Sequence, residues 1–484
     1  MPAIDATRRS EQPGGQGAVR LVLLAAVVLA AGDCASTSPD AATPATVQLP
    51  RASSVLGRLY AVEELHRDFR KFRTILERKT VGLYTDRARL TAMLDEAEVV
   101  LAESMTGPMT ELQFYRLLAP IIAGLRCGHS FLSVSAEMEG HLRTEALFFP
   151  LGVRIFGDRL FVVEDGHGLG VPPGSEILVL NGKVAAGLIQ LICSNAVTVG
   201  RDHGHPRRDA ELWFASLYYS YVDTPDRFAL ELLPPELPAG LPAESDTAVT
   251  MEIPAVRDAR LAKLAQAIVY DMVSAPYPRA FQEHHAVLTI TTFSYRKPKA
   301  YYAFLKDFFA ELSARQLDTL ILDLRGNYGG SPAPTAELFK YLLDKPIPFF
   351  ARNNPVYLAP WKKPQKPALE AFHGTLHVLV DAAAFSMNSF LISLLKHHGI
   401  GTLVGSATAG SWACSDAAMG ATLKTTGLRL KYSTQAFYTP VQGQEAGIGI
   451  APDIPVEWTL ADHLAGRDPV LAAALALAGA SAAD

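Results

Sequence analysis

Apolar residues in the first third of this chain recur at the spacing of a helix. Leu65, Phe69, Phe72 and Leu76 fall on one face of a helix, and similar spacing continues as far as Ile122. We therefore predict a helical amino-terminal domain over residues 53–140.

The period of the pattern changes to two after this region, which is the spacing of a strand. Residues 151–155 and 159–163 are predicted strands, and Gly157-Asp158 between them is a hairpin turn signal. Residues 227–232 and 247–253 have the same character. A β-rich domain is therefore expected over residues 141–254.

Beyond Pro254 short apolar runs alternate with helical patterns. Such alternation predicts a mostly parallel sheet covered by helices, and hence an α/β core over residues 255–462, followed by a carboxyl-terminal helix within residues 463–484. The predicted strands are Ala286–Phe293, Thr319–Leu324, Leu376–Val380 and Thr402–Val404. The predicted helices are Pro298–Ala314, Thr335–Leu343, Ser386–His398 and Pro469–Leu477.

The amino terminus has the pattern of a secretion signal. Basic residues up to Arg20 precede an apolar run, Leu21–Ala31, that is too short to span a bilayer comfortably. We expect residues 1–35 to be a signal sequence and the Ser/Thr/Pro/Ala-rich residues 36–52 to be a linker. An apolar amino terminus without a targeting role is the alternative.

The end of this signal resembles a bacterial lipoprotein cleavage box, although Asp33 directly before Cys34 departs from that pattern. The sequence therefore predicts export to the periplasm or cell envelope, with membrane attachment only through a lipid on Cys34.

Composition narrows the range of partners. Hydrophobic residues make up 49% and charged residues 19%, with a net charge of −5, so the chain is globular and has no basic stripe for nucleic acid. The four cysteines show no zinc-ligand spacing, and three without Cys34 do not make a full disulfide framework. No metal or other cofactor is expected.

A glycine-rich loop follows the predicted strand Thr319–Leu324. Gly326, Gly329 and Gly330 allow backbone N–H groups to point at a negative charge. The loop lacks the Gly-Lys-Ser/Thr of a phosphate loop, which disfavours nucleotide binding. Asp323 and Arg325 beside it are interpreted as an internal ion pair that shapes the loop.

Ser386 lies between a predicted strand and a predicted helix. It is either a helix cap or a nucleophile, and the second interpretation requires a sharp turn that exposes its hydroxyl. In that case Gly329 or Gly330, together with the Met387 N–H, would bind an oxyanion.

A serine nucleophile needs a base, and His129 is the candidate. Gly128-His129-Ser130 is not the nucleophile elbow of α/β-hydrolases, because position 132 is Leu rather than Gly. A structural histidine is the alternative. His397 and His398 fall in the last turn of a predicted helix, where they need no catalytic role.

Five segments in order resemble the serine peptidase family of the C-terminal-processing and tricorn-core peptidases. They are Ala286–Phe293, Leu320–Gly330, Leu379–Ser386, Leu403–Gly410 and Gly449–Val456. The resemblance implies a core related to the crotonase fold, Ser386 as nucleophile, and protein or peptide substrates.

The family divides by its base. The processing peptidases use a lysine at the place held here by Ser411, and Lys424 and Lys431 are expected to face solvent. The tricorn-like branch uses a histidine, which the resemblance places at His129. That branch also has a glutamate, here Glu445, although it lies one residue too far from Gly449.

Two further features follow from the resemblance. Asp453 matches a residue interpreted as structural. Residues 146–253 resemble a divergent PDZ-like module, a fold that binds a peptide as an added strand.

Taken together, these patterns predict an exported serine peptidase with a Ser386 nucleophile and a His129 base. A non-catalytic protein that binds a peptide or an apolar ligand on the same scaffold is the alternative. An intracellular acyl-CoA enzyme of the crotonase type conflicts with the signal-like amino terminus.

Overall fold

The computed structural model describes residues 55–201, 204–235, 248–262 and 277–481. Every described residue belongs to one compact unit, Ser53–Asp484. The predicted signal, linker and Cys34 lie outside the described residues. Within the described ranges, no helix combines the length and the apolarity needed to cross a bilayer.

The amino-terminal part of the described chain is mainly helical. Asp86 begins the second helix by accepting a hydrogen bond from the Arg89 N–H, and Thr110 begins the third with a capping box completed by Gln113. The elements are β1 (Leu59–Tyr60), α1 (Val62–Lys79), α2 (Arg87–Ser104), β2 (Met109–Thr110), α3 (Glu111–Gly124), β3 (Phe131–Ser133) and α4 (Ala136–Thr144).

An antiparallel sheet with two helices follows. The predicted hairpin around Gly157-Asp158 is confirmed, and Asn181-Gly182 makes a second tight turn with positive φ at both residues. The elements are β4 (Gly152–Phe156), β5 (Arg159–Glu164), β6 (Glu176–Leu180), β7 (Lys183–Val184), α5 (Ala185–Asn195), α6 (Gly204–Tyr221), β8 (Arg227–Leu233) and β9 (Val249–Pro254).

The third part contains a six-stranded sheet. Its order is β10-β11-β12-β15-β16-β21, and every neighbouring pair is parallel except β10 with β11. The strands of this part are β10 (Arg279–Phe281), β11 (His285–Thr289), β12 (Thr319–Asp323), β13 (Ile347–Pro348), β14 (Pro364–Gln365), β15 (Thr375–Val380), β16 (Thr402–Gly405), β17 (Ala413–Asp416), β18 (Met419–Thr422), β19 (Arg429–Tyr432), β20 (Gln435–Tyr438) and β21 (Ile454–Pro455). Its helices are α7 (Pro298–Ala314), α8 (Pro332–Lys340), α9 (Ala359–Lys362), α10 (Met387–His398), α11 (Leu460–Ala465) and α12 (Pro469–Ser481).

This sheet is buried on both faces, which explains its near-continuous apolar strands. On one face Leu320 and Leu322 pack with residues of α7, α8 and α10. On the other face Ile321 packs with Val470 and Ala474 of α12. The α/β class and the mostly parallel sheet are therefore as predicted.

The boundary of one helix differs from the prediction. We predicted Thr335–Leu343, whereas α8 begins at Pro332, directly after Ser331, and ends at Lys340. Proline suits the first helical turn because its missing N–H would have no partner there. The apolar pattern alone did not include this first turn.

The helical part and the parallel-sheet part are joined by shared elements. Strand β3 pairs antiparallel with β19, opposing Leu132 to Leu430. Leu430 also belongs to the same apolar core as the amino-terminal helices and the antiparallel sheet. This pairing brings the turn before β3, which contains His129, against the carboxyl-terminal part.

Candidate active site

Ser386 occupies a sharp turn between β15 and α10. Its backbone has φ 53° and ψ −125°, a conformation that non-glycine residues rarely adopt, and it precedes the first residue of α10. Its side chain makes no capping hydrogen bond to the helix. The residue is also buried, 6% exposed, whereas the sequence argument expected an exposed hydroxyl. The geometry thus argues against a simple helix cap.

His129 lies in contact with this serine. Its Nε2 atom is 3.0 Å from the Ser386 Oγ, a hydrogen-bonding distance between residues that are 257 positions apart. The ring is 3% exposed and packs on Phe385, with centroids 4.4 Å apart. Gly128 makes room for this packing, because a Cβ at that position would lie 2.5 Å from the Phe385 ring.

The turn that carries His129 is fixed by a buried polar cluster. The Ser130 N–H donates to the Cys127 carbonyl, and the Ser433 N–H donates to the Ser130 Oγ at 3.0 Å. The Cys127 Sγ lies 2.9 Å from the Ser415 Oγ. These contacts attach the turn to the strands that face it, so the imidazole is held in place before any substrate arrives.

The surroundings of His129 keep its imidazole neutral. Burial lowers the pKa of His129, the nearby Asp416 carboxylate raises it, and the Lys431 ammonium lowers it. A hydrogen bond to the Ser415 backbone acts in the raising direction. Burial dominates, so the net pKa is below the ordinary value, and the ring is available as a proton acceptor near neutral pH.

The glycine loop lies against the serine. A Cβ built on Gly329 would be 2.8 Å from both the Met387 N and the Ser386 Cβ. Gly329 and Gly330 have φ angles of 101° and 143°, which favour glycine. Two segments that are distant in sequence therefore meet at the candidate nucleophile.

Two buried asparagines fix this approach. Asn388 on α10 donates through its Nδ2 to the carbonyls of Leu324 and Asn327, at 3.1 and 2.9 Å. Asn327 in turn accepts from the Gly329 N–H at 2.8 Å and donates to the Ile290 carbonyl. The loop is thus tied to the helix that begins at Ser386.

These bonds distinguish among the predicted oxyanion donors. The Gly329 N–H already donates to Asn327, so the Gly330 and Met387 N–H groups are the candidate donors that remain. Met387 is the first residue of α10, where N–H groups have no partner within the helix. The positive end of the helix dipole also favours negative charge at this point.

The predicted ion pair beside the loop is present. Arg325 binds Asp323 at 2.7 Å and also Asp468, at 2.8 Å, which begins α12. The Gly326 N–H donates to Asp381 at 3.1 Å. These partners shape the loop and leave Asp323 and Arg325 a structural role. Asp453 is likewise structural, because it pairs with Lys396 and accepts from the Leu403 N–H.

Glu445 lies at the surface in an ion pair with Arg201, and its side chain is 60% exposed. The contacts found in the described part of the chain do not join it to Ser386 or His129, so its role in the network stays a prediction. Ser411, at the place of the family's lysine, is buried, and its Oγ accepts from the Gly447 N–H at 3.1 Å.

The surroundings of the Lys431 side chain differ from those predicted. It was expected to face solvent, but the Lys431 Nζ lies 5.2 Å from the centre of the Phe131 ring, and burial lowers its pKa. The cause is the pairing of β19 with β3, which sets Lys431 opposite Phe131.

Sequence reasoning missed three residues of the site. Asp416 Oδ2 lies 3.6 Å from the His129 Nε2, and Asn327 and Asn388 fix the glycine loop. Asn327 stands inside the motif that was singled out, and Asn388 is two residues beyond Ser386, so their positions were a usable signal. Asp416 had no such signal in the sequence, because only the folded chain brings its strand, β17, near His129.

The assembled groups suit acyl transfer. An alcohol contacts a buried neutral imidazole on one side, and amide protons at a glycine loop and a helix start lie on the other. Such a site needs neither a metal nor a nucleotide for its chemistry.

Known proteins resemble this chain in part of its sequence and in its fold. Residues 284–456 match the model of peptidase family S41. The structure of mature CPAF complexed with lactacystin is similar with a TM-score of 0.61 and 13% identity, covering 86% of this chain and 98% of that chain. A second structure of mature CPAF has a TM-score of 0.58 and 15% identity, and the match covers 84% of this chain and 95% of that chain. The photosystem II D1 C-terminal processing protease has a TM-score of 0.42 and 16% identity, and the match covers 81% of this chain and 93% of that chain.

At these identities the structural likeness shows the fold alone. No curated protein matches the chain. The family match covers β11 to β21, including the glycine loop and Ser386. Residues 284–456 therefore form a peptidase family S41 domain, the domain of a serine peptidase.

Proposed function

We propose that this chain hydrolyses peptide bonds of proteins or peptides with Ser386 as nucleophile and His129 as general base. The observation that carries the proposal is the 3.0 Å contact between the His129 Nε2 and a serine hydroxyl that caps no helix. A strained serine at the start of a helix is costly to maintain, and such strain clusters at functional sites.

The first half of the reaction follows from this contact. The Ser386 Oγ attacks the substrate carbonyl carbon while its proton passes to the His129 Nε2. The carbonyl oxygen becomes an oxyanion, which the N–H groups of Gly330 and Met387 bind. The protonated His129 then gives its proton to the leaving amine as the carbon–nitrogen bond breaks, and an acyl-enzyme remains.

Water completes the cycle. His129 accepts a proton from a water molecule as that water attacks the acyl carbon. The same imidazolium then returns the proton to the Ser386 Oγ as the ester bond to the acyl carbon breaks and the carboxylic acid product leaves. Burial of the imidazole helps both halves, because it keeps the ring neutral before each attack.

Further parts of the proposal concern the other domains and the location. We assign the core to the crotonase-like folds on the basis of its parallel sheet and the nucleophile turn. We assign residues 141–254 to a PDZ-like module that docks substrate, a proposal supported by the antiparallel sheet and its Asn181-Gly182 turn. Export, with a lipid on Cys34 as the only membrane attachment, is proposed from the sequence of residues 1–35.

A binding protein without catalysis is the less favoured function. It would need neither the strained backbone of Ser386 nor the imidazole against its hydroxyl. The family match also points to peptide hydrolysis.

Labelling with a fluorophosphonate tests the proposal, because this reagent reacts with activated serines. The full chain is expected to label, Ser386→Ala to lose all labelling, and His129→Ala to label about a hundredfold or more slowly. Hydrolysis of fluorescein-casein should fall in parallel.

Ser389→Ala is the matched control for the serine variant. Ser389 is also buried on α10, but its Oγ donates to the Ser386 carbonyl rather than to an imidazole. Folded wild-type protein that neither labels nor cleaves casein would overturn the proposal in favour of the binding protein. Labelling that survives in Ser386→Ala would assign the nucleophile elsewhere.

A further inference from the structure

We propose that Asp416 is a positioning residue that stabilises the charged form of His129 during the reaction. The inference rests on the proposed function, since it assigns an acidic partner to the proposed base. Family resemblance places that partner at Glu445, whereas the geometry points to another strand.

The position of Asp416 carries the argument. Its Oδ2 lies 3.6 Å from the His129 Nε2, the same nitrogen that faces the Ser386 Oγ. Strand β17 ends at Asp416, and the pairing of β17 with β20 fixes this residue opposite Gln435. The next residue, Ala417, has a φ of 52°, so the chain turns away directly after the carboxylate.

Two charged side chains act on His129 from neighbouring strands, Asp416 of β17 and Lys431 of β19. Lys431 of β19 acts on both His129 and Asp416. Burial raises the pKa of Tyr357, and the Asp416 carboxylate raises it further. Burial and the same carboxylate also raise the pKa of Cys414. One carboxylate and one ammonium therefore set the local field at the imidazole, in opposite directions.

The placement favours the transition state over the resting state. In the resting site the Nε2 atom accepts the Ser386 proton and is neutral, so a nearby carboxylate gives it little stabilisation. When the proton has moved to Nε2, the imidazolium lies 3.6 Å from a negative charge. An interaction that strengthens only as charge develops accelerates the reaction.

Asp416 also differs from the acid of a Ser-His-Asp triad. A triad aspartate binds the histidine nitrogen that faces away from the serine. Here the ring has a backbone hydrogen bond to Ser415, and the carboxylate lies on the serine side. The Asp416 side chain is 40% exposed, so it lies at the open side of a buried pair.

Glu445 does not occupy this position. Its carboxylate binds Arg201 at the surface, and its side chain is 60% exposed. If Glu445 were the acidic partner, it would have to exchange Arg201 for the imidazole. Asp416 needs no such rearrangement.

The test is the pH dependence of fluorophosphonate labelling, which needs no knowledge of the natural substrate. The acid limb of the labelling rate reports the pKa of His129, because only the neutral ring can accept the serine proton. Asp416 raises that pKa, so Asp416→Asn is expected to move the limb to lower pH by about one unit. The maximal rate should nevertheless fall about tenfold.

Lys431→Met is the variant of opposite sign. It removes the charge and retains an unbranched side chain over the Phe131 ring. Lys431 lowers the pKa of His129, so this variant should move the acid limb to higher pH. Loss of fold alone cannot produce shifts in opposite directions, and thermal unfolding of each variant confirms that it is folded.

The outcomes separate this inference from the proposed function. An acid limb unchanged in Asp416→Asn but shifted in Glu445→Gln would overturn the inference and restore the family assignment. Asp416→Glu, which keeps the charge, should recover most of the rate if the inference holds. If Ser386→Ala still labels at the wild-type rate, the proposed function itself fails.

Discussion

At the scale of single residues, the close approach of Gly329 to Ser386 decides what this site tolerates. A Cβ at Gly329 would meet the Phe385 carbonyl oxygen at 2.7 Å and the Met387 N at 2.8 Å. Both are backbone atoms of the nucleophile turn and have little room to shift. Gly326 in the same loop has a φ of 70°, but a Cβ there would meet nothing within 4 Å.

We therefore expect Gly329→Ala to displace Ser386 from His129. Fluorophosphonate labelling should fall by about a hundredfold or more, since misplacement of about 1 Å has that effect. Gly326→Ala is the matched control, and should cost only about 1–2 kcal/mol of unfolding free energy for its left-handed backbone. Urea unfolding and labelling rates measure the two effects. Equal labelling of both variants would mean that the contact does not position the serine.

How far the site could be predicted is also decided residue by residue. The pairing of Ser386 with His129 was predicted from the family resemblance of their segments, because the local pattern alone left a helix cap and a structural histidine as alternatives. Asp416 was not foreseen, since an aspartate on an unremarkable strand carries no local signal. Lys431 was misplaced for the same reason, because strand pairing with Phe131 is a contact between distant positions.

At the scale of elements, α12 shows how the glycine loop is stabilised from outside the site. Asp468 accepts a hydrogen bond from the Leu471 N–H at the start of α12 and also binds Arg325. Val470 and Ala474 of the same helix cover the sheet. The carboxyl-terminal helix was predicted from its Ala/Leu composition and the N-cap at Asp468, but its link to the loop depends on tertiary contacts that these local signals do not reveal.

This link predicts a pH-dependent stability difference. Partial burial tends to raise the pKa of Asp468, but hydrogen bonds from Arg325 and from the backbone outweigh it and depress the pKa. A depressed pKa means that the carboxylate stabilises the fold above its unfolded value of about 4 and loses this effect as pH falls below it. Asp468→Asn should thus be less stable than wild type at pH 7 by about 1 kcal/mol, and the difference should vanish near pH 2.

Thermal unfolding at several pH values measures this difference. Arg325→Met should cause a larger loss at neutral pH, because it also leaves Asp323 without this partner. The double variant should lose less than the sum, because both changes remove the contact between Arg325 and Asp468. A difference that persists unchanged at low pH would exclude the charge as its source.

At the scale of the whole molecule, the described chain behaves as one compact unit with parts that depend on each other. The buried Asp68 of α1 accepts from the N–H groups of Thr425 and Thr426, at 3.1 and 2.8 Å, and from the Thr426 hydroxyl. This contact, together with the pairing of β3 with β19, attaches the amino-terminal helices to the catalytic part.

Loss of this attachment should affect both stability and activity. Asp68→Ala leaves buried N–H groups without partners and should reduce the free energy of unfolding by about 2–4 kcal/mol. Labelling should also slow, because the docking of these helices positions the turn that holds His129. Glu137→Gln, which breaks an exposed ion pair with Arg58, is the control and should leave both unchanged. If urea unfolding shows that Asp68→Ala is less stable while its labelling rate is unchanged, the docking of the helices does not position His129.

The separation of the two reacting side chains by 257 positions has a consequence for biosynthesis. While the chain is being made, the half that carries His129 leaves the ribosome long before the half that carries Ser386. A chain that ends before residue 386 lacks the proposed nucleophile, so we expect it to be inactive. The proposed activity is therefore expected to appear only after synthesis has passed Ser386.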